Sequence, residues 1–108
     1  MTTLADAVAR LTPEVARAWA EALENYAQVA AASDAAREVL HANSVRRTDE
    51  TVPQWMLRCD SNRAAWHSAI EVAQAAWIAM PYDARRLWVK MGAEQLLAEL
   101  RARAGVTA

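Results

Sequence analysis

From Val15 to Asn43, residues recur at alternating intervals of four and three: Val15, Trp19, Ala22, Tyr26, Val29, Ser33, Ala36, Leu40 and Asn43. That spacing lines one face of an α-helix and fits no strand, where the period is two. Neither glycine nor proline interrupts it. An unbroken helix of this extent is about 45 Å long, more than a compact domain of this size needs. Ser33-Asp34 offers a cap at which it could divide, and the spacing leaves both possibilities open. The small residues Ala22, Ser33 and Ala36 allow a second helix to come close.

Start and stop signals divide the rest of the chain. Thr3 can cap a short helix over 4–11, with Leu4, Val8 and Leu11 on one face. Thr12-Pro13-Glu14 then reads as a helix start: Thr caps, Pro occupies the first position at no hydrogen-bonding cost, and Glu suits the positive end of the dipole. Residues 44–53 form a polar connecting loop containing Arg46-Arg47 and Asp49-Glu50, with a new start at Thr51 and Pro53. A short helix over 54–58 is expected to precede one capped at Asp60 or Ser61, which carries Trp66, Ile70, Ala73, Trp77 and Met80. Pro81 ends that helix, because the residue before a proline avoids the α region. Asp83 is expected to cap a last helix to about Arg103, with Gly105 beyond its end.

Composition agrees with an all-α chain. Alanine is by far the commonest of the 108 residues, and there are only two glycines and three prolines. Residues 1–108 are therefore expected to form a single helical domain, a small bundle of three long helices plus one or two short ones. The size suffices for a core without disulfides, and the single Cys59 excludes an intramolecular one. The longest uncharged run, Val72 to Tyr82, is too short to span a bilayer, and the chain reads as cytoplasmic. Helical chains rich in Ala and Arg are common in bacteria and their phages.

Tryptophan is the unusual residue: five in a chain without phenylalanine. Trp55, Trp66, Trp77 and Trp88 recur every eleven residues, about three helical turns, so successive rings would share a face. Pro81 interrupts the last interval, and caps at Asp60 and Ser61 would interrupt the first. Trp66 and Trp77 are then expected in the core, leaving Trp55 and Trp88 for another use.

No catalytic, cofactor or metal site is expected. Glu38 and His41 have the Glu-x-x-His spacing of di-iron bundles, and His67 lies four residues before Glu71, but the further inward carboxylates are missing. Cys59 with His41 or His67 lacks a nucleophile elbow and a glycine-rich oxyanion loop. Gly92 and Gly105 are isolated, which excludes a phosphate-cradling loop. A net charge of −1 gives no general field toward nucleic acid or anionic lipid.

Association is what remains. Trp, Met and Arg are enriched in interfaces, and Trp55, Arg85, Arg86, Leu87, Trp88 and Met91 are the candidate partner-binding residues. The expectation is a non-enzymatic adaptor, inhibitor or assembly protein that binds another protein or itself as a homodimer. The alternative is a helix-turn-helix regulator using residues 54–72, with Arg46, Arg47, Arg58, Asn62, Arg63 and His67 toward DNA. A metal-dependent helical enzyme is the second alternative.

Overall fold

The computed structural model describes residues 4–105, and all regular structure among them is helical: α1 (Leu4–Ala9), α2 (Pro13–Ala42), α3 (Val52–Ala79), α4 (Tyr82–Met91) and α5 (Ala93–Ala104). The expected cap at Thr3 and the side chain of Leu4 lie outside the described residues.

The start of α2 is as expected, with the Val15 N–H donating to Thr12 Oγ1 at 3.2 Å. The helix then runs unbroken for 30 residues. Ser33 and Asp34 do not divide it, because alanines at 30, 31, 32, 35 and 36 surround them with the strongest helix former. Its end is closed by side chains: Asn43 Nδ2 donates to the Val39 carbonyl at 2.8 Å, and Ser44 Oγ to that of His41 at 3.0 Å.

A reciprocal box opens α3. The Gln54 N–H donates to Thr51 Oγ1 at 3.3 Å, while the Thr51 N–H donates to Gln54 Oε1 at 2.9 Å. From there α3 continues for 28 residues, through both Asp60 and Ser61. The expected short helix at 54–58 and the second start after it are one element. Within a continuous helix Asp60 has a better use than capping, since its carboxylate accepts from Arg63 at 2.9 Å, one turn on.

The third long helix is also corrected. Residues 82–104 form two short helices that meet at Gly92, whose φ of 86° and ψ of 156° belong to a region essentially restricted to glycine. Asp83 is not the cap: Pro81 holds that position, and Asp83 stands in the first turn. Gly105 closes α5 in the left-handed conformation, as expected.

The chain falls into two compact units. The first takes in the described residues up to Ala27 and those from Ala76 onward. Its core joins Val8 of α1, Ala16, Ala20 and Leu23 of α2, Met80, Leu87 of α4, and Leu96, Leu100 and Ala104 of α5. The Arg103 guanidinium fastens α5 to the Leu11 carbonyl at 2.6 Å, and Arg101 pairs with Glu24.

The second unit, residues 28–75, is an antiparallel hairpin of the remainder of α2 and most of α3. Its α2 seam is the expected one, with Val29, Ser33, Ala36, Leu40 and Asn43 half-buried; on α3 the expected Trp66, Ile70 and Ala73 are joined by Trp55, Cys59 and Asn62, which the sequence reading leaves out of it. None of its residues is fully buried. No helix among the described residues is long and apolar enough to cross a membrane.

Candidate functional site

Residue spacing gives α4 two unlike faces. Ala84 and Leu87 are buried, and Trp88 and Met91 pack against the core beside them. Tyr82, Arg85, Arg86, Val89 and Lys90 follow the same three-and-four spacing on the other side. With Trp77 from the last turn of α3 they line an open groove of about 300 Å³. That is near the lower end for ligand pockets, room for one or two side chains.

The groove is apolar at its base and cationic at its rim. Val89 is 74 % exposed and Tyr82 65 % exposed, both high for residues with so much apolar surface. The Arg85 and Arg86 guanidiniums lie over the Tyr82 ring, with Cζ 5.7 Å and 5.8 Å from its centroid. Among the described residues neither arginine, nor Lys90, is in an ion pair. Arg85 Nε is also withdrawn from solvent without a hydrogen-bond acceptor.

Behind the groove stands a three-ring cluster. Tyr26 meets Trp77 at 5.0 Å and Trp88 at 5.1 Å between centroids, and the two indoles meet nearly perpendicular at 6.1 Å. Edge-to-face contacts of this kind add to simple burial. They also fix Trp77, the one member that lines the groove.

The sequence-derived partner set is therefore split. Arg85 and Arg86 are on the groove, whereas Leu87, Trp88 and Met91 belong to the packed side of α4 and present no common surface with them. Trp55 lies in the hairpin, where its indole N–H donates to the Ser44 carbonyl at 2.9 Å. Tyr82 and Val89 were missed, although each lies three and four residues from Arg85 and Arg86.

The residues assigned to DNA contact are dispersed too. Arg58 is committed to the hairpin tip: its guanidinium donates to both Glu50 carboxylate oxygens, at 2.7 and 2.9 Å, and to the carbonyls of Val45 and Asn43. Arg46 reaches the Glu50 carbonyl at 3.2 Å, and the Arg47 N–H donates to the Glu50 carboxylate at 3.1 Å. Asn62 is in the seam, Arg63 is paired with Asp60, and His67 is exposed beside Trp66. Residues 54–72 lie in one continuous helix, so the turn that a helix-turn-helix requires is not there. Glu38 and His41 line a shallow polar groove with Asp34 and Arg37. Among the described residues no three His, Cys, Asp or Glu side chains gather where they could hold a metal ion.

Among the described residues, the tip is where ionisable groups are most clearly shifted. The hydrogen bond from Arg58 holds the Glu50 carboxyl down to about 2, assisted by the Arg47 N–H and opposed by partial burial. The same pairing raises the Arg58 pKa. Both groups saturate each other, which makes the tip a clasp on the loop rather than a site open to a ligand.

Comparison with protein-family models, curated proteins and solved structures found no match for the chain.

Proposed function

We propose that the protein is a non-enzymatic helical interaction module, an assembly or adaptor protein that pairs its α2–α3 hairpin with that of a second copy. One observation carries this reading: residues 28–75 form a compact unit in which nothing is fully buried. Two helices share only one seam, so Leu40, Trp66 and Ile70 stay half in water, and their burial is worth only part of the usual ~1.5–3 kcal/mol each. A second hairpin converts two such seams into one four-helix core.

The two flanks of the hairpin differ in a way that favours one orientation. One flank carries Asp34, Arg37, His41, Asp60, Arg63 and His67, and a groove on that side is lined by Leu40, Ser44, Met56, Asp60 and Arg63. Helical spacing puts Ala32, Ala35 and Val39 of α2 with Ala65 and Val72 of α3 on the opposite flank, where Arg58, in register with Ala65 and Val72, is already neutralised by Glu50. Val39 is 49 % and Val72 54 % exposed. Small side chains there let two hairpins approach closely, with like flanks meeting across a two-fold axis.

Light scattering on the purified chain tests the reading. A dimer is expected, and Val39→Glu with Val72→Glu should return it to a monomer whose helical circular dichroism is kept, since both positions already face water. A wild-type chain that stays strictly monomeric as its concentration is raised sinks the self-pairing proposal.

A further inference from the structure

From the groove on α4 we infer that this face is a docking site for an acidic peptide segment of another protein, one that sets an aliphatic side chain against Trp77 and Val89 while its carboxylates meet Arg85, Arg86 and Lys90. The inference rests on the interaction-module reading in kind, and it uses none of the residues of the self-association flank.

Charge is the first argument. Arg85 and Arg86 place two like charges over one ring, Tyr82, and Lys90 adds a third a turn further on. The ring's negative face offsets part of the repulsion, but a carboxylate would offset far more, and no carboxylate among the described residues is paired with any of the three. Asp83, in the same helix, is not in an ion pair with them either. An incoming carboxylate supplies the missing charge.

Shape and extent decide the class of partner. The three cations span residues 85–90, about 7.5 Å along a helix, which matches two or three carboxylates of a short peptide. A nucleic acid needs a longer basic track and free aromatic faces on which bases stack. Here the Tyr82 ring is already under two guanidiniums, and a net charge of −1 supplies no wider basic field to hold a polyanion beyond the groove. Trp77 and the exposed Val89, which line the groove with the cations, are what an aliphatic side chain covers, and bare phosphate would leave them wet.

A random peptide library displayed on phage and panned against the intact protein tests this. The expected consensus carries two or more Asp or Glu beside Leu, Ile or Phe, and a labelled consensus peptide binds in fluorescence anisotropy. Its affinity should fall at least about tenfold in Arg86→Glu with Lys90→Glu, and also between about 0.05 and about 0.5 M salt. Arg17→Glu, an exposed charge reversal away from the groove, should change affinity little. The double variant alters only exposed residues, and an unchanged thermal melt confirms that it folds.

Several results would overturn the inference. They are a library without enrichment, a consensus without acidic residues, full binding by the double variant, or tighter binding of an oligothymidylate of about 20 nucleotides at the same face. If the double variant instead dissolves the dimer in light scattering, the occupant is a second copy and the acidic-peptide assignment falls. A monomeric wild type that binds the consensus peptide rejects the self-association reading alone.

Discussion

Glu50 shows how much one side chain can organise. It accepts from Arg58 and from the Arg47 N–H, and Arg58 in turn ties down the Asn43 and Val45 carbonyls, so the loop between α2 and α3 closes around a single carboxylate. Its pKa is lowered from 4.5 to about 2. A carboxyl depressed on folding adds stability that is fully present above the unfolded value and disappears as pH falls through the folded one. The wild type should therefore lose its advantage over Glu50→Gln between pH 4.5 and about 2, and hold it constant above about pH 5.5, in urea titrations repeated across pH. Trp55, one turn into α3, makes a different contribution through its indole N–H on the Ser44 carbonyl. Trp55→Phe keeps an aromatic ring and removes that bond, and it should cost about 1 kcal/mol in the same titrations.

At the scale of the element, the helix starts were legible and the helix continuities were not. Thr12 and Thr51 cap as their sequence contexts imply, with Gln54 completing the second cap. Asp60 and Ser61 have the same chemistry, yet α3 runs through them. A capping side chain acts only where the backbone at its own residue leaves the helical conformation, and Cys59 and Asn62, half-buried on the seam to either side, hold it in. For the same reason the eleven-residue ladder is truer than the sequence reading allowed: Trp55, Trp66 and Trp77 do share one helix and one face. Trp88 then joins Trp77 across the Pro81 break. The opposite error came at Gly92, which the apolar stripe of residues 87–100 runs past without a sign. Nothing lies within 4 Å of where its Cβ would be, so space is not what excludes other residues there. The backbone is, and Gly92→Ala should destabilise the fold by about 1–3 kcal/mol in thermal melts.

For the whole molecule the division of burial is the governing fact. The fully buried Leu23, Leu96 and Leu100 all lie in the first unit, and truncating any one of them to Ala should cost about 2–5 kcal/mol in equilibrium unfolding. Half-buried Leu40, in the hairpin, should cost less in a monomer and approach the same range only when the hairpin is covered. The candidate site divides similarly in its legibility. Arg85 and Arg86 could be chosen from sequence because arginine beside tryptophan is an interface signature. The fates of Leu87 and Trp88 could not, because which side of α4 faces the core is set by the helices that pack against it.

The hairpin's lack of buried residues has a consequence for the protein's lifetime. Segments that open without breaking a packed core exchange their amide hydrogens and admit proteases at small free-energy cost. Arg46 and Arg47, exposed in the loop at the tip, offer a trypsin-like enzyme its first cut. If two copies pair as proposed, limited trypsin digestion should clip the chain there early when dilute and later at concentrations where the hairpin is covered.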